Sequence, residues 1–266
     1  MGRSWRLVAT ALAFALFGLA SVVGNALYFL PVRFLVRPGA TRRRFARAGI
    51  RATFRAFLHM LTVLGVVKLE LDREGLARLG GTGGVIVANH PTLIDVLVLL
   101  ACVEQAGCVV KQTLWRNPFI SIALTAADYI PSKDPQQLLR DCDVALRRGE
   151  PLIVFPEATR SVPGEPLRLQ RGAATIALES DAELKIVHFS CEPVLLPKGE
   201  PWYRVPVTRP CLAARVGASV RARDFQGAGA NRSVAARHLT LALQHELSKE
   251  IRLDARAGTG AQTATH

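Results

Sequence analysis

The first 69 residues contain no acidic side chain, so the formal net charge of +13 is concentrated at the amino-terminal end of the 266-residue chain. The basic residues in this stretch are Arg3, Arg6, Arg33, Arg37, Arg42, Arg43, Arg44, Arg47, Arg51, Arg55 and Lys68. Aromatic residues make up only 6% of the chain and do not alternate with these arginines, which argues against a surface that stacks nucleic-acid bases. We therefore expect an anionic membrane surface as a partner, and no nucleic acid.

Cysteine is scarce and shows no paired spacing, because the five cysteines lie in separate apolar contexts without a C-x-x-C pattern. They are Cys102, Cys108, Cys142, Cys191 and Cys211. This set argues against a disulfide framework and a zinc site, and it is typical of a reducing compartment.

One long stretch, from Leu7 to Leu30, lacks any charge. As a helix it would extend roughly 35 Å, enough to cross a bilayer core of about 30 Å. A cleaved signal peptide is the alternative, but its apolar region usually spans about 7–15 residues and no A-x-A site follows here. We expect an uncleaved transmembrane anchor. Basic residues are more numerous behind it than in front, which predicts that the rest of the chain faces the cytoplasm from the inner membrane.

The basic segment after the anchor has apolar residues at helical spacing. They are Phe45, Ile50, Phe54, Phe57, Leu58, Leu61 and Leu64. The pattern predicts an amphipathic helix lying on anionic headgroups, and the alternative is a helix packed on the core of the following domain. We divide the chain into a transmembrane anchor with a basic interfacial helix at residues 1–65, a folded domain at 66–254 and a disordered tail at 255–266.

Short apolar runs alternate with helical patterns in the folded domain. Strands are predicted at residues 66–71, 85–88, 108–111, 152–155 and 185–194, with one or two more between 201 and 220. Helices are predicted at residues 92–104, 135–148, 171–179 and 233–251, with short helical pieces from 112 to 124. This alternation predicts an α/β fold, with a mostly parallel sheet flanked by helices behind the N-terminal membrane-anchor helix.

The strand at residues 85–88 is followed by the motif Asn-His-Pro-Thr-Leu-Ile-Asp, which ends at Asp95. A neutral imidazole can take a proton from a hydroxyl when a carboxylate on its other ring nitrogen fixes the tautomer. His90 in the turn and Asp95 in the first two turns of the helix can converge. A histidine satisfied at a strand end, with an aspartate capping the helix, is the alternative. No G-x-S-x-G elbow or cysteine beside a histidine is present, so the substrate would supply the attacking group.

A second polar motif, Phe-Pro-Glu-Ala-Thr-Arg-Ser at residues 155–161, follows the strand at 152–155. We expect both motifs at the same carboxyl edge of the sheet, where open α/β sheets bind ligands. Arg160 offers planar donors to a phosphate, and Thr159 and Ser161 add hydroxyl donors. Glu157 could bind an acceptor hydroxyl or orient Arg160, and a Glu–Arg ion pair that closes the loop is the alternative.

Together the motifs resemble those of the glycerolipid acyltransferase family, of which bacterial lysophosphatidate acyltransferase is the type. Its first block has the form N-H-x-S/P-x-x-D and its third F-P-E-G-T-R-S. Residues 110–119, with Lys111 near their start, resemble the second block, and residues 169–173, with Arg171, resemble the basic-Gly segment after the third. The resemblance covers roughly residues 66–215.

The resemblance implies direct acyl transfer in phospholipid biosynthesis, without a cofactor. His90, oriented by Asp95, would deprotonate the hydroxyl of a lysophosphatidate-like acceptor, which attacks the thioester of acyl-CoA or acyl carrier protein. The candidate substrate-binding residues are Glu157, Thr159, Arg160, Ser161, Lys111, Lys133 and Arg171.

Some positions depart from the family pattern. Ala158 replaces the usual glycine, Thr113 stands where an acid is common, and residues 186–189 lack the Val-Pro pattern of the fourth block. Lyso-ornithine lipid and the head of an aryl polyene lipid therefore stay open as acceptors. A non-catalytic lipid-binding membrane protein is a further alternative, and a metal site on His90 and Asp95 would need His188 as a third ligand.

Overall fold

The computed structural model describes residues 2–81, 83–162, 165–226 and 231–262. Within these residues the strands, from β1 to β7, are Lys68–Leu71, Val85–Ala88, Gly107–Lys111, Ile130–Ser132, Leu152–Val154, Glu183–Glu192 and Cys211–Arg221. The helices, from α1 to α9, are Arg3–Gly24, Leu30–Leu35, Ala40–Val63, Arg73–Arg78, Asp95–Cys102, Pro118–Ala126, Pro135–Arg147, Gly172–Glu179 and Arg232–Gln262. A π-helical turn, Asn25–Phe29, joins α1 to α2.

One seven-stranded sheet organises the described part of the chain, in the order β1-β7-β6-β2-β5-β3-β4. Successive strand residues point to opposite faces, and each face has its own apolar core. Ile86, Ile153 and Phe189 face the core that includes α3 and α5, whereas Val87 and Leu152 face the core that includes α8 and α9. Because helices cover both faces, β2 is buried along its whole length.

The predicted α/β fold is confirmed, with one difference in strand direction. The strands from β6 to β4 in the sheet order are parallel, but β7 is antiparallel to β6, and β1 is parallel to β7. Residues 193–210, between β6 and β7, contain no helix to carry the chain across the sheet, so β7 returns beside β6 in the opposite direction. Two short elements were not predicted: α4, and β4 at the sheet edge, where Pro131 is tolerated.

Helix α3 packs on the α/β domain through its arginines, as the alternative prediction for this helix states. The prediction that the helix lies on anionic headgroups does not describe these arginines. Arg47 is only 5% exposed and lies 2.8 Å from the carboxylate of Glu150. Arg51 donates hydrogen bonds to the carbonyls of Ala101 and Cys102. Arg51 thus satisfies carbonyls at the carboxyl end of α5, which have no partner within that helix.

Replacing Arg47 by alanine is expected to lower the free energy of unfolding by about 2 kcal/mol, because Glu150 loses one of its two closest ionic partners and keeps Arg43 at 3.1 Å. The carbonyls of Gln105 and Ala127, which accept hydrogen bonds from Arg47, also lose a donor. Arg44→Ala on the exposed side of the same helix is the matched control, with an expected change within about 0.5 kcal/mol. Urea denaturation measures both variants, and equal losses would contradict the role of Arg47.

Helix α1 lies along the domain and is bonded to it at both ends. At its start, Trp5 Nε1 donates to the carbonyl of Leu64, and the Arg6 guanidinium donates to the carbonyls of Pro206 and Val207. At its far end, the Asn25 amide donates to the carbonyl of Phe119 in α6. The other face of α1 is exposed and apolar; it includes Val8, Leu12, Leu16, Leu19 and Val23.

By length and composition, one helical stretch among the described residues could cross a membrane, namely Arg3–Leu35, with a mean hydropathy of 2.2. A signal sequence meets the same criterion. At the other end of the chain, α9 continues to Gln262, so residues 255–262 are helical where a disordered tail was predicted. Three alanines favour a helix there, two glycines disfavour it, and no proline ends it. The rest of that predicted tail lies outside the described residues.

Candidate active site

His90 lies in the turn between β2 and α5, and Asn89 fixes that turn to the sheet. The buried Asn89 amide donates to the Phe189 carbonyl at 2.7 Å, and its oxygen accepts from the Phe189 N–H at 2.7 Å. These two bonds join the turn to β6, the neighbouring strand. Asn89 was not predicted as a site residue, although its place directly before His90 in the motif was the available signal.

His90 and Asp95 meet in the structure. The Nδ1 atom of His90 lies 2.9 Å from Oδ2 of Asp95, whose side chain is 0% exposed. Asp95 is the first residue of α5, and Thr92 donates to its carboxylate through both its backbone N–H and its hydroxyl. Thr92 was also missed as a site residue. The carboxylate therefore has three donors, and the two from Thr92 hold it against the imidazole.

Burial raises the pKa of the Asp95 carboxyl above its usual value, and the hydrogen bonds from His90 and Thr92 act against that rise. The carboxylate favours the tautomer with the proton on Nδ1, which leaves Nε2 as the ring nitrogen that can accept a substrate proton. The imidazole also packs on Phe155, with the ring centroids 4.4 Å apart. Its orientation is therefore set from two sides.

Glu157 joins the two motifs instead of pointing to a substrate. Its Oε1 accepts the His90 backbone N–H at 2.8 Å and the Ser161 hydroxyl at 2.8 Å, and the Ser161 N–H donates to the His90 carbonyl. Arg160 donates to the carbonyl of Leu196 at 2.6 Å. The described residues show no Glu157–Arg160 ion pair, and the buried Glu157 acts on His90, a residue that the sequence analysis did not pair with it.

Glu157→Gln is expected to keep or raise the free energy of unfolding near neutral pH, because the amide oxygen still accepts both bonds and no charge is buried. Burial raises the pKa of Glu157, so the unfolded chain loses this proton first and stability falls as the pH rises from the usual glutamate pKa through the raised value. Glu157→Ala leaves buried donors unpaired and should cost about 1–3 kcal/mol. Urea denaturation over a pH series checks both variants. A larger loss of stability in Glu157→Gln than in Glu157→Ala would contradict the role of Glu157 as an acceptor of these hydrogen bonds.

Ala158, at the family's glycine position, has a φ of 57°, in the left-handed region. An L residue there costs roughly 1 kcal/mol more than glycine. Ala158→Gly is therefore expected to raise the free energy of unfolding by about 0.5 kcal/mol, after the greater freedom of glycine in the unfolded chain is subtracted. Ala56→Gly, on the exposed face of α3, is the control and should lower it by about 1 kcal/mol. Chemical denaturation measures both variants, and a change of the same sign in their free energies of unfolding would contradict backbone strain at Ala158.

The remaining candidate residues lie along the same carboxyl edge. Lys111 ends β3, and Lys133 directly follows β4, whose Ser132 pairs with Lys111. In the sheet order, β3 and β4 are two and three strands from β2, or about 10 and 14 Å. Arg171 follows Gln170, whose N–H donates to the Pro156 carbonyl. Lys111, Lys133, Thr159 and Arg171 are exposed.

In the described part of the chain, no three His, Cys, Asp or Glu side chains come together to hold a metal ion. The alternative of a metal bound by His90, Asp95 and His188 is thus not supported. The site instead places a histidine–aspartate pair at the carboxyl edge of an α/β sheet, a geometry that suits a general base.

The Acyltransferase family model matches residues 69–192, which include both motifs. Residues 69–192 therefore match the acyltransferase family, as the resemblance of the motifs predicts.

Two curated relatives carry the same kind of name. The chain is 36% identical over 100 residues to the 1-acyl-sn-glycerol-3-phosphate acyltransferase of Helicobacter pylori, covering 35% of this chain and 42% of that protein. It is 30% identical over 118 residues to the chloroplastic 1-acyl-sn-glycerol-3-phosphate acyltransferase LPAT1 of Arabidopsis thaliana, covering 42% of this chain and 33% of that protein. The matched part thus spans less than half the length of each.

A solved structure shares the fold. The crystal structure of the 1-acyl-sn-glycerophosphate (LPA) acyltransferase PlsC from Thermotoga maritima superposes with a TM-score of 0.65 at 20% sequence identity. The superposition covers 91% of this chain and 97% of that one, so the likeness in fold extends over nearly all of both chains.

Proposed function

We propose that the protein is a membrane-bound O-acyltransferase that moves a fatty acyl group from acyl-CoA or acyl carrier protein to the hydroxyl of a lysophosphatidate-like acceptor. The observation that carries the proposal is the His90–Asp95 contact of 2.9 Å with Asp95 fully buried. The names of the two relatives support the acceptor, because both refer to 1-acyl-sn-glycerol-3-phosphate.

In the proposed reaction, Nε2 of His90 takes the proton of the acceptor hydroxyl as its oxygen attacks the thioester carbonyl carbon. The new C–O bond forms, the C–S bond breaks, and the leaving thiolate takes the proton back from the imidazolium. Asp95 stabilises the imidazolium and holds its orientation throughout. No group on the protein is acylated, which agrees with a site whose motifs offer a base and no nucleophile.

The proposed phosphate contacts come from Arg160 and the exposed cations beside it. Arg160 uses one guanidinium nitrogen for the Leu196 carbonyl and retains donors for a phosphate oxygen. Lys111, Lys133 and Arg171 lie further along the same edge, and Thr159 adds a hydroxyl. Glu157 and Ser161 serve in our proposal as positioning residues, since their polar groups hold the His90 turn.

We also propose that α1 lies in the plane of the membrane surface. Its 22 residues extend about 33 Å, and its bonded ends lie near β1 and near α6, which follows β3, about 24 Å apart across the sheet. A spanning α1 would break these bonds or draw the domain into the bilayer. The exposed apolar face of α1 suits an interfacial helix. The five free cysteines support the cytoplasmic face of the inner membrane.

The test is product analysis by mass spectrometry with the purified protein in phospholipid vesicles. Acyl-CoA and acyl carrier protein are offered as donors, and lysophosphatidate, lyso-ornithine lipid and an aryl polyene lipid head as acceptors. We expect phosphatidate as the main product. Acylation of another acceptor alone would correct the substrate, and no product from any pair, with folded and vesicle-bound protein, would favour the non-catalytic lipid-binding alternative.

A further inference from the structure

The segment between β6 and β7, residues 193–210, exposes large apolar side chains to solvent; we call it the β6–β7 loop. Trp202 is 49% exposed, Tyr203 58% and Val207 73%. The two aromatic rings form an edge-to-face pair, with centroids 5.9 Å apart and an interplanar angle of 83°. Aromatic side chains with a polar tip are costly to leave in water but suit the boundary between headgroups and acyl chains.

Contacts with the domain hold the β6–β7 loop in a defined conformation. Leu195, Leu196 and Val205 are buried in or against the domain. Arg209 donates to the carbonyls of Thr62 and Val67 at 2.9 and 2.7 Å, between the end of α3 and β1. The segment that carries the exposed aromatic pair is therefore fixed to the domain near both of its ends and in its middle.

The β6–β7 loop adjoins the apolar helix α1. Arg6 donates to the carbonyls of Pro206 and Val207, close to the exposed Val207 and three to five residues from the aromatic pair. Trp5, next to Arg6, is itself 44% exposed. The exposed apolar surface of α1 thus continues onto the loop. Lys198 adds an exposed cation there, whereas Glu200 is paired with Arg204.

The β6–β7 loop also reaches the candidate active site. β6 ends and β7 begins at the carboxyl edge of the sheet, where His90 lies. The carbonyl of Leu196, within the loop, accepts the hydrogen bond from Arg160. One segment therefore touches α1, carries the exposed aromatic pair and holds the proposed phosphate-binding arginine.

We propose that Trp202, Tyr203 and Val207 insert into the headgroup boundary of an anionic phospholipid bilayer, as a membrane contact additional to α1. The inference rests on the proposed membrane location. Continuity with the apolar face of α1 and the exposed Lys198 favour a lipid surface over a protein partner. With contacts at α1 and at the loop, the carboxyl edge of the sheet faces the bilayer, and a lipid acceptor reaches His90 without leaving the interface.

The direct test measures the depth of Trp202 by fluorescence. The variant Trp5→Phe/Trp115→Phe retains Trp202 alone, and it is mixed with vesicles of phosphatidylethanolamine and phosphatidylglycerol that carry spin labels near the headgroup or deep in the chain. We expect a blue-shifted emission and stronger quenching by the shallow label. The control is a protein with Leu241→Trp, on the exposed face of α9, in which the three native tryptophans are replaced by phenylalanine. Its emission maximum should be the same with vesicles as in water.

The outcomes separate the inference from the proposal on which it rests. Protein that binds the vesicles while Trp202 stays unquenched overturns the loop contact and leaves the membrane location in place. Protein that does not bind vesicles overturns both. If the Trp202 emission shifts only when acyl carrier protein is added, and labelled lipid does not quench it, the loop binds a protein partner. This result would also overturn the inference.

A second measurement uses Trp202→Ala/Tyr203→Ala. We expect KM for an acceptor presented in vesicles to rise roughly tenfold through the lost apolar contact, with kcat/KM for a water-soluble short-chain acceptor unchanged. Leu241→Ala, an exposed apolar truncation on α9, should change neither value. An equal loss on both acceptors would show that the aromatic pair acts within the protein, against the proposal.

Discussion

His90→Ala is expected to lower kcat/KM for acyl transfer by roughly 10²–10⁴-fold, because it removes the group that takes the acceptor proton in the transition state. The loss of stability should be small. The His90 side chain is partly exposed, and the turn keeps its shape through Asn89, Glu157 and the backbone hydrogen bond from the Ser161 N–H to the His90 carbonyl. Steady-state kinetics on vesicles and circular dichroism measure the two properties.

The matched control for this prediction is His238→Ala on the exposed face of α9, which should leave the rate unchanged. A His90→Ala protein that is folded and retains a tenth or more of the wild-type rate would rule out His90 as the general base. The same variant is the negative control for product analysis, since it should bind vesicles and form no phosphatidate.

Asp95→Asn is expected to lower kcat/KM by roughly 10²-fold, because it removes the negative charge that stabilises the His90 imidazolium. In the wild type, Oδ2 accepts from both His90 and the Thr92 N–H, and Oδ1 accepts from the Thr92 hydroxyl. The amide oxygen of asparagine can keep the first two bonds, and its NH₂ can donate to the Thr92 hydroxyl, which can also accept. No buried donor is then left unpaired, so the free energy of unfolding should change by less than about 1 kcal/mol.

Asp224→Asn, at an exposed position, controls for the change of charge and should leave both rate and stability unchanged. The kinetics of Asp95→Asn are compared with those of His90→Ala and of the double variant. If the two residues act as one unit, the double variant should be no slower than His90→Ala. Multiplied losses in the double variant would mean that Asp95 acts apart from His90.

The elements that carry the dyad were predictable because their signals are local. An apolar run, a polar turn with Pro91 and a second apolar stretch predict a strand, a turn and a helix, and the structure has β2, the turn and α5 in this order. The boundaries differ by a few residues, because α5 begins only at Asp95. This small difference brings the carboxylate to the start of the helix, facing His90.

The partners of the polar side chains were not predictable, because each depends on contacts distant in sequence. Arg47 meets Glu150, Glu157 meets the backbone of His90, and Arg160 meets the carbonyl of Leu196. In sequence, an arginine beside apolar residues has the same pattern whether it faces lipid or a helix end. Only the fold places a carbonyl or a carboxylate within reach.

The sequence by itself determined the class of fold, the pairing of His90 with Asp95 and the resemblance to the acyltransferase family, because periodicity and short motifs depend on neighbouring residues. The tertiary structure alone decided that α1 is held along the domain, that Glu157 supports the His90 turn, and that the β6–β7 loop joins α1 to Arg160. The physical reason is that hydrogen bonds and burial depend on distance in space, and the sheet brings together residues separated by tens to hundreds of positions.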